Sequence, residues 1–382
     1  MKITEVEAII LRQPVVDGAI ADGSQDDLIV RIHTDEGITG VGEVDSAPEV
    51  VKAVYEAPHS HYIATGLRHV LIGQDPLDIE GLWRRMYMGS VYYGRRGVAM
   101  HAISGVDIAL WDIKGKKLGK PVCELLGAKQ RDRVRPYASL LMPDTERDVE
   151  ASVERLVAMG FIAIKFGWGP IGKDEAHDVR LARAAKRTAG ADVEILIDAG
   201  FGYGADAKRA IRVARKFEEL GIYWLEEPFE PDEFEAYAEL ADAVELRVAA
   251  GEEEATRWGF RELIERGHVD VIQPDVTRCG GLSEALRIAR DAELRGIAVV
   301  PHAWKSGVIK AASLHLNAVL KTAWFQEYCV AETPINRLLT RERMPIENGW
   351  VDVPAKPGLG IELDLEVLER YAVGPRPLPV TR

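Results

Sequence analysis

Three acids in this sequence occupy the same place in the same local pattern. Each ends a short apolar, β-rich run: Asp198 in LIDAG, Glu226 in WLEEP and Glu252 in AAGE. Carboxylates brought to one point without a counter-charge repel one another strongly, so three at corresponding strand ends call for a cation. An all-oxygen donor set suits a hard divalent ion, Mg²⁺ ahead of softer metals. The competing reading has each acid separately capping the helix that follows it; the recurrence in three successive units favours the shared ion. The next two runs end in a complementary pair, Asp275 in QPDV and His302 in PHAW. A carboxylate against one imidazole nitrogen fixes the tautomer and raises the basicity of the ring, which makes a general base. Without Asp275, His302 would read as a core histidine; with it, the ring reads as catalytic. Glu327 in FQEYC is placed to hydrogen-bond a substrate oxygen that gains charge in the transition state, or else to form a rim ion pair. Lys165 in AIKFG is a charge in an otherwise apolar strand. It is placed to hold a carboxylate or stabilise an enolate, or else its ammonium snorkels to water.

These residues need a scaffold that brings strand ends together. Eight apolar, β-rich runs recur at regular spacing: VRPYASL, AIKFG, EILIDAG, YWLEEP, RVAAGE, VIQPD, AVVPHA and FQEYC. Charged, amphipathic segments such as GADAKRAIRVARKFEELG separate them and end in glycine. Alternating strand and helix units imply parallel strands with crossover helices, and eight of them over residues 129–351 match a (β/α)₈ barrel. In such a barrel the active site lies at the C-terminal strand ends, where the acids fall. A doubly wound sheet is the alternative architecture. Residues 1–128 read differently, as an α+β domain: an alternating strand KITEVEAIILR, a hairpin DLIVRIHTDEGITGVGEV turning at Asp35, Glu36 and Gly37, then helices including VAMHAISGVDIALWDIKGKKLG. The tail, residues 352–382 with PAKPGLGIEL, is expected to pack back on that first domain.

Composition excludes several classes. With 61 acidic against 48 basic residues the formal charge is −13, which argues against a phosphate-backbone partner and so against nucleic acid. Cys123, Cys279 and Cys329 are far apart and odd in number, which fits reduced cytoplasmic thiols rather than a disulfide framework. No apolar run approaches the roughly 20 residues that span a bilayer, and the first residues lack the pattern of a signal peptide. The expectation is a soluble, cytoplasmic protein without a membrane partner.

In their order along the chain, Lys165, Asp198, Glu226, Glu252, the Asp275/His302 pair and Glu327 resemble the mandelate racemase subgroup of the enolase superfamily. The segments YGRRGVAMHAISGVDIALWDIKGK and PGLGIEL share the likeness, which covers essentially the whole chain. The resemblance implies a modified TIM barrel, (β/α)₇β, under an N-terminal α+β capping domain, with Asp198, Glu226 and Glu252 as Mg²⁺ ligands. It also implies proton loss next to a carboxylate to give an enediolate. Members that racemise carry Lys-x-Lys on the second strand, with bases on both substrate faces. Here the pattern is Lys165-Phe166-Gly167. One base, His302, suffices for acid-sugar dehydratases of the subgroup, so the resemblance favours dehydration over racemisation or epimerisation. Gly200 in DAGFG is a second departure, at a place where many relatives have Asn. In the implied mechanism Mg²⁺ and Lys165 bind the carboxylate of a polyhydroxylated acid, and His302, oriented by Asp275, takes the C2 proton. Glu327 and Mg²⁺ stabilise the enediolate, and loss of the C3 hydroxyl gives a 2-keto-3-deoxy acid. The likeness further implies a homo-oligomer.

PVVDGAIADGSQDD, near residues 15–28, reads as a lid loop over the barrel mouth, and Trp168 and Trp304 as pocket walls or rim cover. Gly167-Trp-Gly169-Pro-Ile-Gly172 is formally a dinucleotide-binding GxGxxG after a strand, which keeps a nicotinamide-dependent oxidoreductase as a distant alternative. That reading leaves Glu226, Glu252, Asp275 and His302 without a role.

Overall fold

The structure, a computed structural model, describes residues 1–374; the end of the tail, 375–382, lies outside the described residues. Three antiparallel strands, Ile3–Arg12, Asp26–Thr34 and Thr39–Val44, form the first sheet in sequence order. Gly37 takes the hairpin turn at φ 76°, a conformation glycine adopts without strain. Six helices follow before the next strand, the longest at Val98–Leu118, closed by left-handed Gly119. That helix lies almost on the third strand, since a Cβ at Gly42 would stand 1.9 Å from the carbonyl oxygen of Gly105. Its apolar side chains, with those of the sheet, form a core of their own.

The second sheet has eight parallel strands. In chain order these barrel strands are Pro136–Leu141, Ala163–Gly167, Glu194–Asp198, Trp224–Glu226, Arg247–Ala250, Val271–Ile272, Ala298–Val299 and Gln326–Cys329. Strands one to seven pair in sequence order and the eighth pairs with the first. Seven helices alternate with them, from Glu146–Ala158 to Gly307–Asn317, so the architecture is the (β/α)₇β form of the TIM barrel rather than a regular eightfold one. Among the described residues no backbone ladder joins strand seven to strand eight. The seam is crossed by the amide of Ala303, which donates to Glu327 Oε2 at 2.6 Å.

One feature was not apparent from sequence periodicity. VRPYASL is broken at Arg135: Arg133–Val134 pairs instead with Trp350–Asp352, which pairs with Ile346–Glu347 in a small third sheet. Strands of two or three residues carry no readable period. The chain then runs back to the first domain, where Val373 N–H donates to the carbonyl of Ile10 at 2.9 Å. Among the described residues no helix is long and apolar enough to cross a membrane.

Candidate active site

Side chains alternate between the inside and outside of a barrel strand. Tyr137, Ala163, Leu196 and Trp224, on four of the strands, and Phe325, just before the eighth, share one apolar cluster. Two residues further along the chain from each stand Ser139, Lys165, Asp198, Glu226 and Glu327, all buried. The apolar layer therefore becomes a charged one at the C-terminal ends, by strand register alone. Register also places Gly167 beside Asp198 and Asp198 beside Glu226. The same alternation separates the adjacent acids of LEEP. Glu226 faces inward, while Glu227 turns away to accept from the Gly251 amide at 2.7 Å and the Tyr237 hydroxyl at 2.6 Å.

Asp198, Glu226 and Glu252 each offer an oxygen within 4.8 Å of the others. Trp224 Nε1 donates to Glu226 Oε2 at 3.0 Å, and the Gly200 amide to Asp198 Oδ1 at 2.9 Å. Lys165 sits among the carboxylates, bonded to Glu226, 3.0 Å from Glu327 Oε1 and 3.7 Å from Asp198 Oδ2. Burial opposes its charge, but Glu226 and Glu327 outweigh burial and hold the ammonium well above the ordinary lysine range. One ammonium does not balance the group: burial, then Glu226, push Asp198 well above the ordinary carboxylate range. A buried, all-carboxylate donor set with too little positive charge is what a hard divalent cation fits.

The predicted pair is joined. His302 Nδ1 lies 2.6 Å from Asp275 Oδ2, while Asp275 Oδ1 accepts from the amide and hydroxyl of Thr277, both at 2.6 Å. His302 Nε2 lies 3.4 Å from Glu252 and 3.8 Å from Glu327. Burial works against the imidazolium, but Glu252, Glu327 and Asp275 prevail and push its pKa up to about 10. Glu327 goes the other way. Against burial, Lys165 and His302 hold it down to about 2, so it stands ionised and accepts hydrogen bonds without donating them. Its Oε1 faces Lys165 at 3.0 Å and its Oε2 accepts from the Ala303 amide at 2.6 Å.

A cavity of about 340 Å³ opens above these groups. Lys165, Asp198, Glu252 and His302 line it, as do Trp168 and Trp304, and Ala21, Asp22 and Gly23 of the expected lid loop form part of its wall. Trp304 Nε1 donates to Asp22 Oδ1 at 3.3 Å. Trp168, at φ 59°, lies over Gly200, where a Cβ would meet its indole at 2.5 Å. Trp168 and the departure at Gly200 thus fit each other, since the ring fills the space a side chain at 200 would need. The GxGxxG loop is otherwise engaged: Gly172 N–H donates to the carboxylate of Asp178, at 3.1 Å from Oδ2.

Sequence reasoning missed Asp45, Ser139, Glu253 and Arg278, which also line the cavity. Asp45 and Arg278 meet across the two domains, Nη2 to Oδ2 at 2.8 Å. The available signal was Arg278 itself, a cation three residues past Asp275 in a strand-end segment. Asp45, Asp275 and His302 form a second cluster of ligand-type atoms, but Arg278 already supplies positive charge beside Asp45 and Asp275.

A barrel whose strand ends present clustered acids, a lysine and a His–Asp pair under a small α+β cap defines a class of enzymes that abstract protons next to carboxylates. The comparisons agree. Residues 2–127 match the model of the mandelate racemase/muconate lactonizing enzyme N-terminal domain, and residues 148–367 match the enolase C-terminal domain-like model. The chain belongs to this mandelate racemase/muconate lactonizing enzyme family of the enolase superfamily. It is 34% identical to a D-galactarolactone cycloisomerase of Agrobacterium fabrum, over 97% of this chain and 99% of that protein. It is 33% identical to an arabinonate dehydratase of Saccharolobus solfataricus, over 92% of both chains. Among solved structures, the 3,6-anhydro-D-galactonate cycloisomerase from Zobellia galactanivorans superposes with a TM-score of 0.88 at 32% identity, covering 98% of this chain and 100% of that one.

Proposed function

We propose that the protein is an acid-sugar dehydratase that removes the proton next to a carboxylate and expels the β-hydroxyl. One observation carries this reading. A single base, His302 with its Nδ1 on Asp275, stands beside the acid cluster, and the place of a second base is taken by Gly167. Asp198, Glu226 and Glu252 would hold Mg²⁺, which supplies Lewis-acid polarisation of the substrate carboxylate. Lys165 binds that carboxylate and offsets the charge that grows on it as the C2–H bond breaks. His302 takes the C2 proton once a cation held by the acid cluster offsets the negative charge that otherwise keeps the ring protonated; Asp275 on Nδ1 then leaves Nε2 to accept it. Protonated His302 then delivers a proton to the departing C3 hydroxyl, which leaves as water. The resulting enol becomes a 2-keto-3-deoxy acid. Trp168, Trp304 and the 21–23 segment restrict bulk water at the cavity mouth.

The test is turnover of a library of acid sugars with Mg²⁺, read as 2-keto acid, together with His302→Asn. That variant is expected to lose dehydration by at least about 10³-fold while still binding Mg²⁺; retained turnover removes His302 from the role. A second reading is favoured by the Agrobacterium relative, whose match spans nearly both chains. The same proton abstraction would expel a ring oxygen of a sugar lactone, making the enzyme a cycloisomerase. Product analysis separates the two, since only dehydration releases water. Deuterium exchange at C2 without elimination would instead support a racemase or epimerase. The three cysteines, all buried and unpaired, support a cytoplasmic location, and the family supports a homo-oligomer.

A further inference from the structure

We infer that the acid sugar taken by this site carries one carboxylate, an aldonate rather than an aldarate. The inference rests on the dehydratase reading and concerns the wall that meets the sugar chain beyond His302. There the cavity is lined by three acids, Asp22, Asp45 and Glu253, and by Arg278. Among the described residues lining the cavity, Lys165 and Arg278 are the lysine and arginine cations. Lys165 belongs to the carboxylate-binding end, amid Glu226 and Glu327.

Arg278 is already committed. Its Nη2 lies 2.8 Å from Asp45 Oδ2 and its Nη1 3.3 Å from Glu253 Oε1. Nη1 also donates to the Glu252 carbonyl at 3.2 Å, and Nε to the Asp45 carbonyl at 3.1 Å. A second substrate carboxylate would have to displace one of these partners. Lys305, the next ammonium, is not part of the wall. It bonds to the carbonyls of Gly23 and Asp26 and stands 3.3 Å from Asp45 Oδ1. Asp45 stays ionised, because Arg278 and Lys305 outweigh burial and hold it below the usual carboxylate range.

A wall of carboxylate oxygens accepts hydrogen bonds from sugar hydroxyls. It repels a group that has charge but no proton to donate. Two like charges at roughly 6 Å, at an effective dielectric of about 20, oppose binding by about a hundredfold, before any compensation by Arg278.

The experiment compares kcat/KM of the Mg²⁺-loaded enzyme on pairs of aldonates and aldarates of equal chain length and matched configuration. Aldonates are expected to be preferred by at least about tenfold. Asp45→Asn, which frees one edge of Arg278, should shift the ratio toward the aldarate; Asp22→Asn, on the half-buried lid segment, gives a second readout should Asp45→Asn fail to fold. Equal or faster turnover of aldarates overturns the inference and leaves the dehydratase reading standing. An aldonate preference that neither variant alters also overturns it, because the discrimination then lies elsewhere. Turnover of neither substrate class overturns the dehydratase reading and the inference together.

Discussion

Gly167 has two meanings, and one substitution separates them. Read from the family pattern it marks a missing second base. The structure adds that a side chain at this position would meet the Asp198 side chain where it now stands. A Cβ built there would stand 2.6 Å from Asp198 Oδ2 and 3.0 Å from both Cβ and Cγ of Asp198. Non-bonded carbon atoms are at their best separation at about 3.5–4.0 Å. In Gly167→Ala the Asp198 carboxylate must therefore retreat by roughly 0.5–1 Å, several times the ~0.2 Å tolerance of a metal–ligand distance. Displacements of that kind around metal ligands cost about 10–100-fold in affinity, or about 1.4–2.7 kcal/mol. Calorimetric titration with Mg²⁺ is expected to show a Kd raised by that factor, with turnover recovering toward wild type as Mg²⁺ is raised. Gly167→Lys should lose turnover and show no C2 epimerisation, because the new side chain dislodges a metal ligand before it can serve as a base. A folded Gly167→Ala protein with wild-type Mg²⁺ affinity would refute the reasoning, since the methyl would then be accommodated without moving Asp198.

Two further outcomes follow from buried charges. Lys165→Met leaves Glu226 and Glu327 without their cation; the metal-free protein should lose about 3–5 kcal/mol of stability, with Mg²⁺ restoring part of it. Thermal unfolding with and without Mg²⁺ checks this, and an unchanged metal-free transition would contradict it. Asp107 tests the joint between the domains. Its Oδ2 accepts from the Ser283 amide at 2.9 Å, its Oδ1 has no partner among the described residues, and burial, opposed by Ser283, raises its pKa from the ordinary 3.8 to about 7. The folded state therefore holds a proton that the unfolded state releases. The associated stability is complete below about pH 3.8 and is lost as pH rises to about 7, by at most about 4 kcal/mol. Asp107→Asn, which has no proton to lose, should flatten that slope; urea unfolding at intervals from pH 4 to 8 with parallel slopes for both proteins would dismiss the assignment.

The parts of this molecule that were legible in sequence are those governed by short-range rules. Barrel strands announce themselves because both faces are buried, and their terminal acids are visible because a charge that ends an apolar run is conspicuous. Alternation from Trp224 even points to Glu226 rather than Glu227. Position alone leaves Trp168 and Trp304 as either pocket walls or rim cover, and both line the cavity. What was illegible depends on distance in sequence. Asp45 and Arg278 are 233 residues apart, and nothing local to TGVGEVDS distinguishes Asp45 from a loop acid. The seam between strands seven and eight is likewise invisible, since it is made by a side chain, Glu327, rather than by a ladder. The mutual fit of Trp168 and Gly200 requires knowing that one ring lies on the other residue.

Those long-range contacts change what the capping domain does. Glu43 ends the third cap strand with Val44, and Asp45 follows two residues on. Glu43 accepts from the amides of Ser306 and Ile309 at 2.9 and 2.6 Å, at the start of the helix that follows His302. An acid at a helix N-terminus satisfies amides that have no partner within the helix, so this contact fixes the His302 loop from the cap side. Asp45 does the same for the other member of the pair. Its amide donates to Thr277 Oγ at 3.1 Å, the Thr277 hydroxyl donates to Asp275 Oδ1 at 2.6 Å, and Asp275 Oδ2 faces His302 Nδ1 at 2.6 Å. One segment of the cap thus holds both loops on which the His–Asp pair is mounted. The pair comes from adjacent barrel strands, but its alignment depends on a domain more than 200 residues upstream, so the cap acts as part of the support of the proton-transfer machinery as well as a cover for the substrate.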